Sequence, residues 1–244
     1  MDDLALFPDL LATPDRFVWH AATRTAILAD LHLGALGGMR GAGGSRMEEA
    51  WSRLVSRGPK EVILAGDVMD HPEVDGAALA TCRKMLELLP SGCRVTLTPG
   101  NHDPEDIGAR LGVKAVEAVR RGNYVISHGH VLPALLAEAP GARWIVGHQH
   151  PAVTLRTRVQ SAKMACYVVC AGDTRQPGFI LLPAFSREAG GPLGSNLLGR
   201  GNWLLPLKWP TSQKMHIYGV VEPVGGTSCV LDFDRLSGLD ELST

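Results

Sequence analysis

Five short stretches of this 244-residue chain carry residues that could hold a cation or move a proton, and each follows an apolar run. They are Asp30-Leu31-His32, Gly66-Asp67, Gly100-Asn101-His102-Asp103, His128-Gly129-His130 and Gly147-His148-Gln149-His150. Carboxylate, amide oxygen and imidazole together suit Mn²⁺, Fe, Zn²⁺ or Ni²⁺. The set lacks the all-oxygen shell that Mg²⁺ and Ca²⁺ prefer and the thiolates of structural zinc. The candidate ligands are Asp30, His32, Asp67, Asn101, His128, His148 and His150. That is more than one ion with an open position can take, and it suits two ions with a carboxylate between them. Two divalent ions against two aspartates leave a charge of about +2, which attracts an anion such as phosphate. A metal pair roughly 3.5 to 4 Å apart activates a water and clamps phosphoryl oxygens for in-line displacement. His102, beside Asn101, is placed to give a proton to the leaving oxygen.

These groups meet only if strands deliver them to one edge of a sheet, and in open α/β sheets the carboxyl edge is where ligands bind. The pattern predicts this delivery. Arg16 to His20 and Thr25 to Ala29 read as an opening hairpin, the second strand ending at Asp30. Ser45 caps a helix that puts Met47, Trp51, Leu54 and Val55 on one face, and Gly58-Pro59 stops it. Glu61 to Ala65 is a strand ending at Asp67. Val74 to Leu89 is a helix with Leu79, Cys82, Leu86 and Leu89 inward, closed by Pro90. Arg94 to Leu97 is the strand before Asn101, and Pro104 to Leu111 a short helix. Asn123 to Ser127 and Arg143 to Val146 are strands ending at His128 and His148, with a short helix over Leu132 to Glu138 between them. Val153 to Arg158, Met164 to Ala171 and Gly178 to Leu182 then read as antiparallel strands, and Met215 to Val221 with Ser228 to Phe233 as a closing hairpin across Gly225-Gly226. The stretch 183–210 is Gly-, Pro- and Leu-rich and reads as irregular. With no linker and no repeat, residues 1–244 read as a single domain, βα units first and antiparallel strands last.

Composition narrows the function classes. The chain is 45% apolar and 20% charged with a net charge of −1, so no global basic field points to nucleic acid or anionic lipid. No apolar run reaches the roughly 18 to 20 residues of a membrane span, and the acidic start Met1-Asp2-Asp3 lacks the basic region of a secretory signal. Five scattered cysteines (82, 93, 166, 170, 229) fit reduced core thiols in a cytoplasmic protein. Cys166 and Cys170 lie within one strand and read as structural rather than as a metal pair. The Gly-rich stretch Gly37 to Ser45 reads as a loop, with no Gly-Lys-Ser after it to make a phosphate cradle. Arg40, Arg46, Arg53 and Arg57, and the group Arg156, Arg158 and Lys163, read as solvated surface. Trp203 and Trp209 read as core cover, with base stacking as the alternative. His20 and His216 fall outside every strand-end motif and read as structural. His130 stays open between a hydrogen-bond partner behind the ligands and plain surface, and His71, beside Asp70, reads as supporting a ligand or facing substrate.

In order and rough spacing, Asp30-x-His32, Gly66-Asp67, Gly100-Asn101-His102-Asp103, His128 and Gly147-His148-x-His150 resemble the calcineurin-like metallophosphoesterase superfamily over residues 25–185. Leu182-Pro183-Ala184-Phe185, followed by Gly190-Gly191, is similar to the small, DNA-ligase-associated members. The resemblance implies a four-layer α/β/β/α sandwich of two mixed sheets. It implies that Asp30, His32 and His150 bind one divalent metal, Asn101, His128 and His148 a second, with Asp67 bridging. It implies that His102 and Asp103 form the acid pair. For cofactor it implies two transition-metal ions, Mn²⁺ first, with Fe, Zn²⁺ or Ni²⁺ as alternatives. For substrate it implies a phosphodiester, DNA or RNA included, and for partner a DNA-repair protein such as a ligase or helicase, with no membrane. Other readings stay open: a non-catalytic binding or scaffold member, or a phosphomonoesterase or small-molecule pyrophosphatase.

Overall fold

The computed structural model describes residues 3–35, 42–156, 161–172, 177–187, 215–222 and 227–235. Two mixed sheets face each other. The first holds β1 (Leu4–Phe7), β2 (Leu10–Ala12), β3 (Val18–His20), β4 (Thr25–Leu28), β5 (Glu61–Leu64), β6 (Arg94–Leu97) and β7 (Lys114–Ala115), side by side in chain order. β1 to β4 run antiparallel. β4 to β7 run parallel, and three helices make the crossovers: α1 (Ala42–Ser56), α2 (Gly76–Glu87) and α3 (Ile107–Leu111). The second sheet is built from β8 (Val119–Arg121), β9 (Tyr124–Ser127), β10 (Arg143–Val146), β11 (Ala152–Arg156), β12 (Ser161–Cys170), β13 (Phe179–Leu181), β14 (Met215–Val221) and β15 (Cys229–Arg235). Its order is β15-β14-β12-β13-β10-β9-β8, with β11 paired to β12, and the short α4 (Ala134–Ala137) links β9 to β10. Among the described residues no helix is long and apolar enough to cross a membrane.

Alternation along the strands sorts the side chains into layers. Ile27 and Ile63 point inward and meet Ile126, Ile145 and Ile180 of the second sheet. Their neighbours Leu28, Val62 and Leu64 point the other way, onto Met47, Trp51 and Leu54 of α1 and Cys82 and Met85 of α2. On the far face Val125, Trp144, Val168 and Leu181 pack with Leu136 of α4. The fourth layer is therefore thin: among the described residues, α4 is the helix that covers that face. Cys166 and Cys170 are buried thiols in this outer cluster.

Several boundaries differ from those read in the sequence. α1 begins at Ala42, so Ser45 lies inside the helix rather than capping it. α2 begins at Gly76, capped by the Asp75 carboxylate, which accepts from the Ala77 N–H at 3.0 Å. Its buried positions are Ala78, Cys82 and Met85, while Leu79, Leu86 and Leu89 pack at the margin of the same core. β13 is antiparallel to β12 but parallel to β10. β1, β2, β7 and β8 have no counterpart in the sequence reading. Of the irregular stretch at 183–210, the described part, 183–187, has no regular secondary structure. The remainder, with Trp203 and Trp209, lies outside the described residues, as do most of the Gly37 to Ser45 loop, Arg40, Arg158 and the Gly225-Gly226 turn.

Candidate metal centre

Register is what brings the strand ends together. Leu28 pairs with Leu64 and Leu64 with Leu97, so β4, β5 and β6 end level, just before Asp30, Asp67 and Asn101. In the second sheet Val146 pairs with Ser127, so His128 and His148 leave adjacent strands side by side. Past each end the backbone bends sharply. Asp30, His32, Asp67, His148 and His150 all have positive φ, between 44° and 64°, and they make up five of the seven non-glycine residues in that region among the described residues. Such conformations cost of order 1–3 kcal/mol each and persist where the surroundings enforce a function. Two glycines permit the close approach. A Cβ at Gly66, itself at φ +84°, would strike the His128 ring, and one at Gly100 would strike the Asp67 carboxylate.

Two groups of ligand-type atoms share one carboxylate, and a third joins His32, Asp70 and His102. Asp30, His32, Asp67 and His150 make the first, and Asp67, His128 and His148 the second, with the atoms of each group within 4.8 Å of one another. In the first, His150 Nε2 lies 3.2 Å from Asp30 Oδ1 and 3.2 Å from His32 Nε2. In the second, His128 Nε2 lies 3.2 Å from Asp67 Oδ2, 3.2 Å from Asn101 Oδ1 and 3.1 Å from His148 Nδ1. Asp67 Oδ1 accepts the His102 backbone N–H at 3.0 Å, which leaves Oδ2 facing both groups, 3.9 Å from His32 Nε2 and 3.2 Å from His128 Nε2. The donor set fits a cation. His128 Nδ1–H donates to the Ala65 carbonyl at 3.1 Å, so its Nε2 lone pair meets a carboxylate and an amide oxygen, both acceptors. Lone pairs that converge without donors call for a proton or a metal between them.

The protonation balance shows the same tension. Burial works to raise the Asp67 carboxyl, but the His128 ring and the His102 N–H outweigh it and hold the group at about 2. Burial likewise opposes ionisation of Asp30, and the His150 and His128 rings overcome it. The burial that would lower His128 and His150 is outweighed by these two carboxylates, so both imidazoles are raised. Burial, with the charge of His128 beside it, pushes His148 down to about 4.

The structure thus gathers Asp30, His32, Asp67, Asn101, His128, His148 and His150 in one place. His102 stands at the rim, its ring 5.2 Å from that of His32, with Nδ1–H donating to the Asp70 carbonyl at 2.7 Å. Asp103 departs from the expected acid pair. Its carboxylate accepts the backbone N–H groups of Met69 and Gly100, both at 2.9 Å, and supports the turn rather than the His102 ring. Burial raises the Asp103 carboxyl, against the pull of those two N–H groups.

Asp70 is the residue that sequence reasoning left without a role. Its Oδ1 sits 3.2 Å from His32 Nδ1, off the ring's N–H line, and its Oδ2 3.3 Å from His71 Nε2. The available signal was its place three residues past Asp67. His130 packs its exposed ring against His128 and His148, with centroids 5.3 and 6.2 Å apart. His20 contacts Asp9 and Thr23, and His216 stacks on Tyr218, all away from the centre. Arg53 and Arg57 pair with Asp15 and Asp3.

A family model described as calcineurin-like phosphoesterase matches residues 23–161. Among solved structures, the Pseudomonas putida nuclease MPE aligns with 89% of this chain and 96% of its own, at 21% identity and a TM-score of 0.62, a likeness of fold. Vps29 from Entamoeba histolytica, in its zinc complex, aligns with 86% of this chain and 99% of its own at 14% identity and a TM-score of 0.39. No curated protein sequence matches this chain.

Proposed function

The chain belongs to the calcineurin-like phosphoesterase family, and from that membership we propose that it is a dinuclear-metal phosphodiesterase acting on nucleic acid. The observation that carries the proposal is Asp67, whose Oδ2 faces both ligand groups while His102 waits at their rim. Asp30, His32 and His150 would hold one ion, Asn101, His128 and His148 the other, and Asp67 both. When bound, divalent ions supply Lewis acidity, charge neutralisation and a water acidic enough to act as nucleophile near neutral pH. Mn²⁺ suits the mixed nitrogen and oxygen donors.

The chain's own residues then have distinct tasks. The buried carboxylates and imidazoles fix where the phosphoryl group sits. His102 handles the proton. With Nδ1–H committed to the Asp70 carbonyl, its Nε2 is the nitrogen left to give a proton to the departing ester oxygen. Asp103 holds the turn that carries it. Support for a nucleic-acid substrate comes from the nuclease of like fold.

The test is hydrolysis of bis-p-nitrophenyl phosphate, p-nitrophenyl phosphate and single-stranded DNA with Mn²⁺, Fe²⁺, Co²⁺, Ni²⁺ and Zn²⁺ in turn. The expected result is diester cleavage with Mn²⁺ that Asp67→Ala abolishes. Turnover of the monoester alone would overturn the diesterase reading, and no turnover with any ion would overturn the enzymatic one.

A further inference from the structure

Outside the ligand set lies a buried ionic cluster that reaches the metal centre through the backbone. Arg16, on the turn between β2 and β3, has φ 66° and a side chain only 12% exposed. Its Nη1 donates to the carbonyls of Ala184 at 3.3 Å and Ser186 at 3.2 Å, and its Nη2 to Glu222 Oε2 at 3.1 Å. Arg187 joins Glu222 from the other side, its Nε at 2.9 Å from Oε1, and its Nη1 donates to the Arg46 carbonyl of α1 at 3.0 Å. The segment so gripped runs straight past the first metal ligand: Phe185 N–H donates to the Ala29 carbonyl at 2.9 Å, and Ser186 N–H to the carbonyl of Asp30 itself at 3.1 Å.

We propose that Arg16 is a positioning residue for the metal centre: with Glu222 and Arg187 it clamps residues 184–187, and through their backbone it fixes the turn that presents Asp30. The turn bearing Arg16 is itself held rigid. Thr13 Oγ1 donates to the Phe17 carbonyl at 2.8 Å, and the Tyr167 hydroxyl of the second sheet reaches the carbonyls of Thr13 and Phe17 at 2.8 and 3.0 Å. Asp30 needs such support because it sits at φ 61°, a conformation that an unsupported aspartate leaves readily. A fold that only had to fill the space would do so with less penalty using an apolar side chain. Arg16 is instead strained and desolvated, with Nε lacking any partner. The guanidinium fork is what allows one side chain to span two carbonyls and a carboxylate at once.

This inference rests on reading Asp30 as a metal ligand, and two readouts on the full chain keep the two apart. The first is amide hydrogen exchange at Phe185 and Ser186, the second Mn²⁺ affinity by calorimetry. In Arg16→Met both amides are expected to exchange at least about tenfold faster, while the Val125 amide of β9 keeps its rate. Mn²⁺ affinity is expected to fall about 10- to 100-fold, as when groups that orient a ligand are lost. If Arg16→Met does not fold, Arg16→Lys carries the same test, because an ammonium keeps the charge opposite Glu222 but cannot span all three acceptors. Unchanged exchange overturns the clamp. Faster exchange with unchanged Mn²⁺ affinity overturns its link to the metal. If the unaltered chain binds no Mn²⁺, the dinuclear reading fails, and the exchange arm still decides on the clamp.

Discussion

His102 and Asn101 are neighbours with separable tasks, and that separation is testable one side chain at a time. Asn101 Oδ1 points at His128 Nε2, whereas the His102 ring is tied to the Asp70 carbonyl. His102→Ala is expected to leave metal content unchanged and lower turnover by about 10²- to 10⁴-fold, the usual worth of a general acid. Asn101→Ala should instead lower affinity for one of two bound Mn²⁺ equivalents, which metal analysis after dialysis would show. Asp103 belongs to neither class. Two backbone N–H groups rely on its carboxylate, so Asp103→Leu should cost about 1–3 kcal/mol of stability through unsatisfied donors, read as a lower denaturant midpoint. A His102–Asp103 dyad would predict the opposite balance: near-normal stability and a shifted pH–rate profile. Asp70 contributes to His102 through a backbone carbonyl, which Asp70→Ala retains. That variant should therefore affect metal affinity, through His32, more than proton transfer.

At the scale of elements, the two sheets are tied by an ion pair far from the chemistry. Glu61, 2% exposed at the start of β5, receives Arg121 of β8, with Arg94 at 3.7 Å from the same carboxylate. The hydrogen bond from Arg121 outweighs burial and holds the Glu61 carboxyl below its ordinary 4.5. The fold thus favours the ionised form. Its contribution is full above about pH 5 and disappears as pH falls through the depressed folded value. Glu61→Gln should lower the urea midpoint at pH 7 by about 1–3 kcal/mol equivalent and flatten the loss seen between pH 5 and pH 3. A loss of unchanged steepness would mean that other carboxylates govern acid unfolding. The same scale shows what the sequence made legible. β4, β5, β6, β9 and β10 were readable because each is an apolar run cut off by Gly or a polar cluster, and the same cut-off marked the ligands. β7 is two exposed residues, and β8, Val-Arg-Arg, is mostly charged at a sheet edge, so neither carries a hydrophobic period. The role of Arg16 was equally hidden, because its partners Ala184, Ser186 and Glu222 lie about 170 and 206 positions away and nothing local announces them.

For the molecule as a whole, the centre is a concentration of strain and like groups that a cation would relieve. Five candidate ligands hold positive φ, and two buried carboxylates share their space with four imidazoles. Without a cation, that arrangement subtracts from stability; a bound cation returns it by mass action. Binding only the folded state at free metal 100 times the Kd adds about 2.7 kcal/mol. For a chain of this size that corresponds to roughly 5 to 10 °C in Tm, at about 2–4 °C per kcal/mol. Chelated protein is therefore expected to melt several degrees below the Mn²⁺-loaded form, and Tm should rise with the logarithm of free Mn²⁺ rather than reach a plateau once the sites fill. Asp67→Ala, which removes the carboxylate common to both groups, should abolish the dependence and not merely displace it. A Tm indifferent to chelator and to Mn²⁺ would mean that protons alone balance the cluster, with the raised His128 and His150 as their carriers.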